Sequence, residues 1–256
     1  MSTGLQTATT RVDVADLGTI LTVVAHPDDE TYLAAGVMAA ARELGQRVVS
    51  AAASAGELGT DDPATWPPQR LADVRRLEAA AAMAVLGVRE HHVGELPDGG
   101  LHARTAEGLA WVGELIDTVG PDTILTFGPD GITGHPDHVA VHRWVTEAWV
   151  QRGCTSRVLH ATTTVEHLGA FGDRYEEWGV YMTDERPAGV PADELALHLE
   201  LDGPALDRKL VALRAMATQT SGIVSQLELP DYARLVAEEA FVEAIPDQRR
   251  LAKYFL

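Results

Sequence analysis

Two short stretches carry most of the chemistry this chain can offer: His26-Pro27-Asp28-Asp29-Glu30 and His135-Pro136-Asp137-His138. Imidazole and carboxylate together suit a divalent ion of the zinc type, and a catalytic site leaves one position open for water and substrate. His26, Asp29 and His138 supply two imidazoles and one carboxylate and are the expected metal ligands. Asp28 and His135 would flank the ion as acid/base groups, with Asp137 orienting the His135 ring. Either stretch alone reads equally well as a solvated turn, because Asp and Pro are ordinary turn and helix-entry residues. Two such stretches, each after an apolar run, argue against that reading. His138 and His142 form a rival pair four residues apart, but the glutamate of an HExxH motif is missing between them. His142 is therefore expected on the helix surface or facing the core.

These side chains need a scaffold that delivers them to one place. Short β-branched runs at residues 19–25, 47–54, 122–127, 157–165 and 195–201 read as strands. Segments with helical periodicity fall at 30–44, 68–86, 106–119, 136–151, 204–217 and 230–242, with Gly45, Gly87 and Gly120 at three of their ends. Strands alternating with helices predict an α/β, Rossmann-like three-layer fold with a mostly parallel central sheet. Such sheets bind ligands outside the carboxyl ends of their strands. Both histidine-bearing stretches follow a strand and so belong to that edge, as does the loop at 59–69 containing Trp66, a candidate wall for stacking a sugar.

The chain has 256 residues, 46% hydrophobic and 23% charged, which suits one globular domain over 1–256 with an N-terminal tail over 1–17. Twenty basic against 38 acidic residues give a net charge of −18, which disfavours nucleic acid and anionic membrane surfaces as partners. Aromatics at 5% leave no stacking platform for bases. The single cysteine, Cys154, excludes an internal disulfide. With no signal-like N-terminus and no apolar run of the roughly 20 residues a membrane span requires, a cytoplasmic location is expected. Assembly into a homo-oligomer stays open.

The stretches AHPDDE at 25–30 and GHPDH at 134–138 together resemble the PIG-L/LmbE family of zinc-dependent N-deacetylases. Weaker likeness runs through SAGELGT at 54–60, VRRLEAAAAMAVLGV at 74–88, LPDGGL at 96–101 and LDRKLVALRAMATQTS at 206–221. The resemblance implies zinc on His26, Asp29 and His138, Asp28 as general base, and His135 as oxyanion stabiliser held by Asp137. It also places Arg75, Glu78 and Asp98 near the active site, Arg75 and Asp98 as substrate contacts. Arg75 and Glu78 are equally a good i, i+3 surface pair, and residues 97–100 a good turn. Met216 stands where family members often carry a histidine, so substrate contacts in the last quarter do not transfer. The implied function is hydrolysis of an N-acyl, typically N-acetyl, group on a small amino-sugar compound. Two alternatives stand beside it: an amidase for thiol-conjugate amides at the same metal site, and a metal-free nucleotide-binding module. The second lacks any GxGxxG or GxxxxGK[ST] signature after a strand.

Overall fold

The computed structural model describes residues 11–245. A seven-stranded sheet is built from β1 (Ile20–Val24), β2 (Val48–Ala52), β3 (Glu90–Val93), β4 (Thr123–Phe127), β5 (Arg157–Thr162), β6 (Leu197–Glu200) and β7 (Glu238–Glu243), in the order β3-β2-β1-β4-β5-β7-β6. The first five strands of that order run parallel, and β7 is antiparallel to both β5 and β6. β1, β2 and β4 are buried along their whole length, as apolar runs covered on both faces must be.

Helices cover both faces. On one, α3 (Thr105–Val119) and α4 (Pro136–Gln151) pack Val112, Ile116, Trp144 and Val145 against Leu21, Val23, Val49 and Ile124. On the other, α1 (Asp29–Glu43), α2 (Pro68–Leu86) and α6 (Gly203–Ala215) meet Ile20, Val48, Leu125 and Leu159. α5 (Val165–Glu177), α7 (Ala217–Gln226) and α8 (Leu229–Val236) complete the set. Pro68 and Pro136 stand in the first turns of α2 and α4, where a missing N–H costs nothing. Gly87 and Gly120 end α2 and α3 in the left-handed conformation.

Two expectations change. The helix read over 230–242 stops at Val236, and residues 238–243 form β7 instead. Their local preference gives way to pairing on both sides, with Phe241 and Val242 buried in the sheet. Of the tail expected over 1–17, residues 1–10 lie outside the described part. Val14 and Leu17, however, are buried, and Val12 N–H bonds Ala196 O at 2.8 Å, so the remainder is part of the folded body.

β7 also brings a buried charge to α1, which is broken at Ala34 (φ −144°, ψ 15°). Glu239 accepts from the amides of Gly36 (2.7 Å) and Val37 (2.9 Å), capping the segment after the break. Lys209 donates to Tyr32 O (2.7 Å), capping the segment before it, and to Glu239 (2.8 Å). Both charged side chains are fully buried. Removing one partner leaves the other charge uncompensated, which typically costs about 3–5 kcal/mol. Lys209→Met is therefore expected to destabilise the fold by that amount in a denaturant titration; a change below about 1 kcal/mol would show that the pair does not hold the break.

Candidate active site

In the order 3-2-1-4-5 the chain direction of the crossovers reverses between β1 and β4, and a cleft opens at that switch point. The loop after β1 carries His26 to Asp28 into it, and the loop after β4 carries His135, leading to His138 on the first turn of α4. The two stretches flagged in the sequence converge there. The rings of His26 and His138 lie 5.4 Å apart, and those of His26 and His135 lie 5.0 Å apart.

One ligand atom from each of His26, Asp29 and His138 falls within 4.8 Å of the others, and the same holds for His26, His135 and Asp137. Hydrogen bonding separates the two groups. His138 Nδ1 lies 3.0 Å from Gly131 O, so it carries the proton and leaves the Nε2 lone pair free, 3.3 Å from Asp29 Oδ1. His135 Nδ1 instead accepts from the Asp137 amide at 3.1 Å, so the neutral ring has its proton on Nε2 and no lone pair there for an ion. Asp137 is committed as well, accepting from the amides of Gly99 (2.7 Å) and Leu101 (3.0 Å). The first group is the better cation site.

Electrostatics agrees. His26 Nε2 is buried 3.0 Å from Asp98 Oδ1 and 3.5 Å from Asp137 Oδ2, yet aligns with neither as a hydrogen bond. Burial opposes a charge on this ring, but the carboxylates of Asp137, Asp29 and Asp98 outweigh it and hold the imidazole well above its ordinary pKa. Burial would likewise raise Asp29, but the His138 and His26 rings pull it below the usual carboxylate range. Acids crowded around imidazoles are what a divalent ion needs, and the residues present fit one.

Asp28 stands beside this group with φ 117°, a backbone region a non-glycine residue occupies only under constraint. Burial pushes its carboxyl up to about 7, against the opposing charge of Arg75 3.4 Å away. Arg75 is itself buried and donates to Gly56 O (2.7 Å) and to Pro27 O. Gly56 (φ +65°) is required where it is, since a Cβ there would sit 2.1 Å from the guanidinium.

Other expected residues divide. Asp98 reaches the site, accepting from the Leu58 amide at 2.8 Å; burial would raise its pKa, but His26 brings it to about 2. Arg75 and Asp98 both line the cavity, where Arg75 stands beside Asp28 and Asp98 beside His26. Asp137 reaches His135 through its backbone amide, while its carboxylate faces His26 and residues 99–101. Asp137 thus orients His135 through its main chain. Glu78 does not pair with Arg75; it caps α7 through the Thr218 amide at 2.9 Å. Glu57 holds the Asp98 amide at 3.0 Å. Trp66 is not among the cavity-lining residues: the turn begun by Asp62 folds it under Arg70, whose guanidinium carbon lies 4.9 Å from the ring centroid. His142 faces the core, bonded to Phe127 O at 2.9 Å, with its pKa lowered by burial to about 4. Glu30 was not singled out from the sequence. It is buried, accepts from the Asp28 amide at 3.2 Å, and is raised to about 8 by burial and the Asp28 charge. Its place in the first stretch was the available signal.

A mostly parallel sheet with an edge cleft of imidazoles and carboxylates that can hold a divalent ion defines an α/β enzyme of the metal-assisted kind. Residues 21–149 match the family described as PIG-L, GlcNAc-PI de-N-acetylase, and the chain belongs to that family. It is a hydrolase acting on amide bonds. A 1D-myo-inositol 2-acetamido-2-deoxy-alpha-D-glucopyranoside deacetylase of Mycobacterium sp. (strain KMS) is 31% identical over 231 residues, 79% of this chain and 74% of its own length. The protein of the same description from Acidothermus cellulolyticus is 32% identical over 232 residues, 78% of this chain and 79% of its own. The fold is shared with the N,N'-diacetylchitobiose deacetylase of Pyrococcus horikoshii (TM-score 0.64, 18% identity, 91% of this chain and 86% of that one). It is shared also with the zinc-inhibited form of a teicoplanin deacetylase (TM-score 0.62, 17% identity, 88% and 98%). Among the described residues no helix is long and apolar enough to cross a membrane.

Proposed function

We propose that this chain is a single-domain, cytoplasmic, zinc-dependent N-deacetylase that hydrolyses the acetamide of an N-acetylated amino-sugar compound to free amine and acetate. The observation that carries the reading is the meeting of His26, Asp29 and His138 beside a carboxyl, Asp28, whose pKa sits at about 7. His26, Asp29 and His138 would hold the zinc. Bound there, zinc lowers the pKa of a water to about 7 and polarises the acyl carbonyl.

The rest belongs to the chain's own side chains. Asp28 accepts the proton of the attacking water, a role for which a pKa near the working pH is best. His135 would be neutral, because burial and the neighbouring His138 and His26 rings lower it to about 4. Its Nε2–H can still donate to the acyl oxygen as negative charge gathers there. His135 needs no positive charge for this role. The proton held by Asp28 passes to the amine nitrogen as the C–N bond breaks, so the amine leaves neutral and Asp28 is reset.

Arg75 sets the pH range. Its charge lowers the Asp28 pKa, so Arg75→Met raises it. Activity requires the carboxylate, so the acid limb of the kcat/KM profile is expected to move to higher pH in this variant. An unmoved limb would detach Arg75, or Asp28, from the titration. Acetate release separates deacetylation from conjugate cleavage. Incubation with an N-acetylglucosaminide and, separately, a thiol-conjugate amide should yield acetate and free amine from the first; cleavage of the second alone would replace this reading with the amidase one.

A further inference from the structure

The cavity does not end at the acid/base groups. It has a volume of about 1010 Å³ and runs from His26 and His138 to Tyr175, Trp178, Tyr181 and Met182. That is the upper end of what drug-sized ligands occupy, and a single amino-sugar ring fills a small part of it. The far wall is built by α5 and the loop after it. Val165, Leu168, Phe171 and Tyr175 share one face of α5, yet this helix buries none of its residues. Tyr175 reaches the cavity from that face and is joined there by Trp178, Tyr181 and Met182, so the apolar lining comes from the end of α5 and the residues after it.

The wall is held in shape. Tyr175 Oη lies 2.7 Å from His167 Nε2, and its ring meets Tyr181 edge-on with centroids 6.1 Å apart. Arg186 bonds Glu176 with two nitrogens and lies 4.7 Å over the Tyr181 ring, tying the loop back to α5. At the other end the Met182 amide donates to Thr133 O at 2.8 Å, two residues before His135. The wall and the loop bearing His135 are thus one connected rim. Met182 itself is 60% exposed at that rim, an adaptable apolar contact waiting for a partner.

We infer that this half of the cavity is a binding site for a flat, apolar aglycone, an aryl or fused-ring group, attached to the N-acetylated sugar whose acetamide faces Asp28. The inference rests on the deacetylase reading for the near end of the substrate. Rigid aromatic rings around an open apolar slot favour stacking and burial. The Tyr175 hydroxyl is engaged by His167, so this residue offers the face of its ring to a ligand.

The test compares acetate release from free N-acetylglucosamine, a polyol N-acetylglucosaminide and a naphthyl N-acetylglucosaminide. The naphthyl compound is expected to show kcat/KM about three- to tenfold above the other two, the scale of a well-placed aromatic pair. Trp178→Ala should remove that advantage while changing the value for free sugar much less. Equal kcat/KM across the three, or an equal loss in the variant, overturns the aglycone site and leaves the deacetylase reading intact. If none of the three releases acetate, it is the deacetylase reading that fails. Calorimetric binding of the naphthyl compound to the wild-type protein and to Trp178→Ala then decides the site independently: tighter binding to the wild type supports it, and equal or absent binding refutes it.

Discussion

Asp28→Asn is expected to lower deacetylation by about 10²-fold or more, the usual contribution of a positioned acid/base group, while leaving the metal content unchanged. The amide is nearly isosteric with the carboxyl, and asparagine is among the residues that tolerate positive φ, so the constrained backbone at φ 117° should survive. What is lost is the capacity to take a proton. A general base poised by burial and Arg75 has no substitute nearby: Glu30 is turned to the Asp28 amide, and Asp98 is held ionised beside His26. Kinetics and metal analysis on the same preparation check both halves. Undiminished turnover would remove Asp28 from the mechanism.

His138→Ala should instead lose the metal. The ring offers an Nε2 lone pair oriented by Gly131 O, and changing even an outer partner of a metal ligand typically weakens binding by about 10–100-fold. Removing the ligand itself should exceed that, and activity should fall with occupancy. His142→Ala is the contrasting control. That ring is bonded to Phe127 O in the core, so its loss should lower stability and leave metal binding in place. The two variants together distinguish a metal ligand from a buried histidine one helical turn away.

Much of this site was legible in the sequence because its parts are local. Each histidine-bearing stretch is the first or a close connection after an apolar strand, so the order of residues already fixes which edge of the sheet receives it. The strands flanking the cleft and the helices beginning at Pro68 and Pro136 carry strong periodicity and clear terminal residues. The misses come from tertiary context. β7 is a strand because β5 and β6 flank it, which residues 238–243 cannot announce. The Lys209–Glu239 pair joins residues thirty positions apart, and only the lone lysine on the Leu206–Leu213 apolar stripe hinted at it. Trp66 lies under Arg70 and outside the cavity lining, while the aromatic wall comes from the end of α5 and the residues after it, where the sequence pattern marks no element. Asp137 shows a third limit: its spacing from His135 implies closeness, but which of its atoms makes the bond depends on the cap of α4.

Everything in the proposed chemistry depends on one divalent ion held between the β1 and β4 loops. The most direct measurement is acetate release by protein stripped with a chelator, metal content being determined before and after zinc is restored. The account predicts that turnover disappears with the ion and returns as occupancy approaches one zinc per chain. Full turnover by protein shown to contain no metal would contradict it.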